Sequence, residues 1–161
     1  MSLKNRENVK LLKEGHALVG LNPEVGHVLM GHEDLPGAFA SVLREGRLAH
    51  SHWNSQPLGN YDQDLNVGVL GIDQMISTLL VFKMHNYNGF YGIDINPERM
   101  PVEKAINLNI SALNAGADVV NNLDYKALVE AMYDPASHRG VVEEVLTKAW
   151  APKNTKRNPL D

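Results

Sequence analysis

Three short apolar runs in this chain each stop abruptly in polar residues, and that repeated pattern constrains the fold more than any other feature. Ala17-Leu18-Val19-Gly20-Leu21 gives way to Asn22-Pro23-Glu24-Val25-Gly26-His27, the run from Arg47 ends in His50-Ser51-His52-Trp53-Asn54, and the run from Phe90 passes through Gly92-Ile93-Asp94-Ile95 to Asn96-Pro97. Apolar segments closed by Asn-Pro and similar turn formers read as strands, over 17–21, 47–53 and 90–95. Helical patterns separate them, so the strands are expected to be parallel members of βαβ units. Polar residues at the C-terminal ends of parallel strands are where such folds carry out their chemistry.

The intervening pattern supplies the helices. Residues 5–14 carry Val9, Leu11 and Leu12 among charges and stop at Gly15, a C-cap residue. Asp34 is placed to cap, and Pro36 to start, a helix through Phe39, Val42 and Leu43 to Gly46. Met75, Ile76, Leu79, Leu80 and Phe82 predict a buried helix over 72–84. Further helices are expected over 102–115, 124–132 and 141–150, with Met75, Phe82 and Met84 in the core. The fold class is thus α/β, three parallel strands with helices and extra C-terminal helices, in one domain over 1–150. A polar, basic, Pro-broken tail follows over 151–161. A closed eight-stranded barrel takes about 250 residues, so three such strands leave an open edge that invites association with another chain or copy.

Composition removes several function classes. With no cysteine, disulfides, thiolate catalysis and Cys-type zinc sites are excluded. A net charge of −4, with no basic block before the last dozen residues, argues against nucleic acid as a partner. The start Met1-Ser2-Leu3-Lys4-Asn5-Arg6 has no apolar core of a signal peptide and no stretch reaches spanning length, so the expectation is a cytoplasmic protein without membrane contact.

The strand ends share an inventory of Glu, Asp and His. Glu24 and His27 close the first run, His52 the second and Asp94 the third, while Tyr61-Asp62-Gln63-Asp64-Leu65 lies in the long loop between 54 and 71. Carboxylates with imidazole suit Mn²⁺, Mg²⁺ or Co²⁺. A lone Glu-x-x-His or Asp-x-Asp is ordinarily surface decoration; their joint position after apolar runs favours ligation. His52 reads either as a ligand or as a core histidine beside Trp53. Trp53 and Asn54 read either as sugar-lining residues, a stacking surface and an amide, or, for Trp53, as packing.

Taken together, Asn22-Pro23-Glu24-Val25-Gly26-His27, Leu48-Ala49-His50-Ser51-His52-Trp53-Asn54-Ser55-Gln56, Tyr61-Asp62-Gln63-Asp64-Leu65 and Gly92-Ile93-Asp94 resemble, in order and spacing, the C-terminal half of a D-xylose isomerase. The resemblance covers roughly residues 15 to 115 and implies strands six, seven and eight of a (β/α) TIM barrel, here a partial one. It also implies an aldose-ketose isomerase of carbohydrate metabolism that works by metal-assisted hydride or proton transfer on a small sugar. Glu24 would bridge two divalent ions. His27, Asp62 and Asp64 would hold the mobile catalytic ion, and Asp94 the structural one.

One position departs from that pattern: His52 stands where xylose isomerases of this type have Asp. It matches rhamnose isomerases and ketose epimerases of the same barrel, and would join Asp94 at the structural ion. Imidazole tilts the site from Mg²⁺ towards Mn²⁺ or Co²⁺. The family's ring-opening His, second bridging Glu and substrate Lys have no counterpart here. No catalytic residue is therefore assigned, and the chain is expected to be inactive without the missing barrel half. The alternative is a non-catalytic metal- or sugar-binding half-barrel that self-associates as a homo-oligomer. A barrel metallonuclease is disfavoured by the acidic charge.

Overall fold

The computed structural model of the protein describes residues 10, 11, 13, 14, 19–97 and 99–150. The chain divides into two compact units, Met1–Gly116 and Ala117–Asp161. The first is mixed α/β around a small parallel sheet; the second is helical among its described residues.

In the first unit the elements follow as α1 (Val25–Met30), α2 (Leu35–Arg44), β1 (Ser51–Trp53), α3 (Ile72–Met84), β2 (Tyr91–Ile93) and the long α4 (Val102–Asn122), which continues into the second unit. β1 and β2 pair in parallel, Ser51 with Tyr91, His52 with Gly92 and Trp53 with Ile93. Asp94 N–H donates to Trp53 O at 3.2 Å, carrying the pairing one residue further.

The expected first strand is not a ladder strand. Ala17 and Leu18 lie outside the described residues, and the segment beyond them makes two isolated parallel bridges, Leu21 with Leu48 ahead of β1 and Glu24 with His52 on it. The offset between partners changes from 27 to 28 residues between those bridges, and Pro23 has no N–H to donate; its carbonyl accepts from His52 N at 3.0 Å. A shifted register with a missing donor holds the segment beside β1 without building a regular strand. The other two strands are also shorter than predicted.

Side-chain alternation then gives the sheet two different faces. Ser51 and Trp53 point into the core, where the Trp53 ring lies 6.2 Å from Phe39 and 5.5 Å from Phe82 between ring centroids. Phe39 comes from α2 and Phe82 from α3, so one aromatic cluster pins both helices to the strand. Each such buried side chain stabilises the fold by about 1.5–3 kcal/mol. His50 and His52 lie on the opposite face.

The helices follow their local signals. Asp34 caps α2, accepting from Gly37 N at 2.8 Å with Pro36 in the first turn, and α3 spans the predicted residues with Met75, Ile76, Leu79 and Phe82 buried. Met84, expected in the core, is exposed at the last turn of α3. α4 passes the predicted end at Ala115: a Cβ on Gly116 would sit 2.7 Å from Met75 Cε and 2.8 Å from Leu79 Cδ1, so glycine there permits close packing on α3. Lys10, Leu11 and Lys13 are helical, and the rest of the predicted 5–14 helix lies outside the described residues, as does the 151–161 tail.

In the second unit, α5 (Tyr125–Tyr133) is capped by Asp124, which accepts from Ala127 N at 3.0 Å, and α6 (Val141–Trp150) packs against it. Leu128 and Ala131 on α5 and Val145 and Ala149 on α6 are buried.

Candidate metal centre

Glu24 stands where the bridging segment turns into α1. Its backbone is extended, φ −111° and ψ 136°, while the residue is only 7% exposed. The sequence predicts a turn over Glu24 to His27; in the structure His27 lies in the first turn of α1, which stacks it over Glu24 at i+3 spacing. Glu24 Oε2 is 3.4 Å from His27 Nδ1, and His27 Nε2 is 3.1 Å from Asp62 Oδ1. On the other side, His52 Nδ1 lies 4.0 Å from Glu24 Oε2 and 2.9 Å from Asp94 Oδ2. Ligand atoms of Glu24, His52 and Asp94 all fall within 4.8 Å of one another, as do those of Glu24, His27 and Asp62. One buried carboxylate is common to both groups.

Asp64, expected with Asp62, joins neither group; its Oδ1 accepts from Asn54 Nδ2 at 2.9 Å. Asp62 and Asp64 both occupy the left-handed region, φ 45° and 46°, a conformation Asp tolerates better than most residues. Backbone strain of this kind needs support. The buried Gln56 supplies some, accepting from Gln63 N at 2.8 Å and donating to Asn60 O at 2.9 Å. Ser55 and Leu65 exchange backbone bonds at 2.8 and 3.0 Å, and Asn96 N donates to Asp64 O at 2.9 Å, tying the acidic loop to the Asp94 segment.

The two residues expected to line a sugar site are both buried. Trp53 is 1% exposed, its ring enclosed by Phe39, Phe82 and Tyr91 and its Nε1 donating to Ser51 Oγ at 2.9 Å. It is a packing residue, because its register on β1 aims it away from His52. Asn54 is buried too, but at the acidic centre: Nδ2 donates to Glu24 Oε1 at 2.8 Å and to Asp64 Oδ1, and Oδ1 accepts from Gly26 N at 2.8 Å. A Cβ on Gly26 would lie 3.1 Å from Asn54 Oδ1 and 3.2 Å from Glu24 Oε1, which is why a glycine sits inside α1. The role of Asn54 as an organiser of carboxylates was missed from sequence; its position one residue past β1, facing an acidic motif, was the available signal.

Electrostatics match a site short of positive charge. Burial raises the pKa of Glu24, opposed by the Asn54 hydrogen bond and by His27, and reinforced by Asp94 and Asp64. Burial likewise raises that of Asp64, with Asp62 and Asp94 adding repulsion and Asn54 and His27 opposing it. Among the described residues, no lysine or arginine belongs to the groups that shift either carboxylate. A cluster of carboxylates and imidazoles with this surplus of negative charge fits a divalent cation by its donor chemistry.

Part of the chain is similar to two curated proteins. A xylose isomerase from Streptomyces lividans is 31% identical over 105 residues, 58% of this chain and 27% of the relative. Over that stretch the chain is xylose isomerase-like. A second xylose isomerase, from Thermus caldophilus, is 29% identical over 87 residues, 54% of this chain and 22% of the relative. The chain thus spans about a quarter of the length of these relatives. No protein-family model matches it. No described helix is long and apolar enough to cross a membrane.

Proposed function

We propose that residues 1–150 are the metal-binding part of a sugar isomerase barrel, with 151–161 as a tail, acting on a small open-chain sugar to interconvert aldose and ketose. The observation that carries this reading is Glu24, a buried carboxylate common to two groups of metal-ligating side chains in a xylose isomerase-like chain. Glu24, His52 and Asp94 would hold one ion; Glu24, His27 and Asp62 the other, with Asp64 reaching that second ion through the oxygen Asn54 leaves unbonded. Mn²⁺ or Co²⁺ suits the imidazoles better than Mg²⁺. A divalent cation held there supplies Lewis acidity towards the carbonyl and hydroxyl oxygens of the sugar.

The protein's own contribution is placement. Asn54 orients Glu24 and Asp64, the short α1 stacks His27 over Glu24, and the β1–β2 pairing brings Asp94 to His52. The segment 21–24 beside β1 supports a third strand position of the same parallel array, as a (β/α) barrel requires. Groups that open the sugar ring and move its proton or hydride would come from strands outside these 161 residues. Misplacing such groups costs catalysis heavily, so the chain by itself is expected to bind metal without turning over sugar.

A second reading, a non-catalytic half-barrel that self-associates, is favoured by the short coverage of the relatives and by the exposed Val19 and Leu21 on the segment beside β1. Assaying the pure chain with several aldoses and ketoses in Mn²⁺, alone and mixed with a polypeptide carrying the remaining barrel strands, separates the two. The isomerase reading expects turnover only in the mixture. Metal binding with no turnover in either sample leaves the non-catalytic module.

A further inference from the structure

We propose that Asn22 selects the tautomer of His52 that can ligate a metal, and couples that choice to His50. This rests on the reading of His52 and Asp94 as ligands of one ion. Asn22 sits between the two imidazoles: His50 Nδ1 donates to Asn22 Oδ1 at 3.1 Å, and Asn22 Nδ2 donates to His52 Nε2 at 3.3 Å. A neutral imidazole has one N–H and one lone pair, so an Nε2 that accepts leaves the proton on Nδ1. That Nδ1 faces Asp94 Oδ2 at 2.9 Å, and its N–H donates there. The same Nδ1 is the atom turned towards Glu24. In this state the nitrogen aimed at both carboxylates is blocked by its own proton.

Ligation requires the opposite arrangement. With the Asn22 amide turned over, Oδ1 accepts from His52 Nε2–H, and Nδ2 donates to a lone pair on His50 Nδ1. His52 Nδ1 is then free, aimed between Glu24 and Asp94. Each histidine keeps one proton throughout: it leaves Nδ1 and returns at Nε2 by exchange with water, and no net charge changes. A hydrogen bond to the non-ligating nitrogen is what fixes tautomer and ring orientation at metal-bound histidines. Neighbouring side chains hold the two half-buried rings. They meet edge to face with centroids 5.3 Å apart, His50 stacks on Phe90, and a Cβ on Gly92 would collide with His50 Cε1 and lie 2.9 Å from His52 Cδ2. With the rings held in this way, a turn of the exposed Asn22 amide is the movement that exchanges donor and acceptor along the chain of bonds.

Long-range ¹H–¹⁵N spectra of the ¹⁵N-histidine chain report the tautomer directly, with Mg²⁺ as the diamagnetic probe. His52 should be Nδ1–H without metal and Nε2–H with it, and His50 should switch with it. Asn22→Leu should weaken Mn²⁺ binding by about 10- to 100-fold. Asn22→Asp, which can only accept, should hold His52 as Nε2–H without metal and bind Mn²⁺ at least as tightly as the parent. In a His52→Asp background, Asn22→Leu should have no effect. An Nε2–H His52 in the metal-free parent, or an equal loss from Asn22→Leu in both backgrounds, overturns the proposal; the parent spectra do so without any variant that could misfold. If Mn²⁺ binding depends on Glu24 yet His52 keeps its tautomer, this inference fails alone. If Glu24→Gln binds Mn²⁺ undiminished, the reading beneath it fails as well.

Discussion

Asn54 donates to Glu24 Oε1 at 2.8 Å, and in doing so leaves Oε2 as the oxygen that faces both His27 and His52. The same amide nitrogen reaches Asp64, and its carbonyl accepts from Gly26, so all three bonds of a buried side chain are spent on arranging the carboxylates. Removing it strands a buried acceptor on Glu24, a part-buried one on Asp64 and one N–H. Asn54→Ala should therefore cost about 1–3 kcal/mol of folding stability. It should also weaken Mn²⁺ binding by about 10- to 100-fold. Chemical denaturation and metal titration of the same variant check both. A loss of stability with unchanged affinity would reduce Asn54 to a packing role.

Trp53 gives the contrasting case. Enclosed by Phe39, Phe82 and Tyr91, it should behave as core, with Trp53→Ala destabilising the chain by about 3–5 kcal/mol and leaving the ligand side chains in place. Urea unfolding of the variant measures this. A variant as stable as the parent would return Trp53 to a binding surface.

The raised pKa of Glu24 carries a pH signature of its own. A carboxyl that holds its proton more tightly folded than unfolded contributes stability when protonated, below its unfolded pKa, and loses that contribution as pH rises through the folded value. Without metal at neutral pH, ionised Glu24 thus opposes folding. Metal-free Glu24→Gln should melt above the parent at pH 7, and the gap should close as pH falls through the carboxylate range. Thermal unfolding in chelator across that range checks the sign; a parent that melts above Glu24→Gln at pH 7 contradicts it.

His52 is the imidazole among the possible ligands Glu24, His52 and Asp94, so its replacement tests metal preference. His52→Asp exchanges an imidazole for a hard oxygen donor and should shift the Mn²⁺/Mg²⁺ affinity ratio towards Mg²⁺. Competition titrations measure it. An unchanged ratio would mean that His52 does not touch the ion.

What the sequence revealed and what it hid have physical causes. α3 was legible to the residue because its apolar spacing and the following turn agree, and α2 because Asp34 and Pro36 mark its start. α1 was hidden: it has six residues, and Glu24 makes no side-chain capping bond. The first strand was over-read because an apolar run carries no record of its register, and the change of offset at Pro23 is a tertiary event. The residues of the acidic centre were legible by type and spacing, but the direction of Trp53 and the hydrogen bonds of Asn54 depend on a pleat that alternates one residue at a time.

The shared position of Glu24 is best tested by counting metal. Calorimetric titration of the chelator-treated chain with Mn²⁺ should give two ions per chain, and the same titration of Glu24→Gln should show both sites weakened by more than about 100-fold, beyond the range of an outer-shell partner. Unchanged binding by Glu24→Gln, or the loss of one site with the other intact, would contradict a carboxylate shared by two ions.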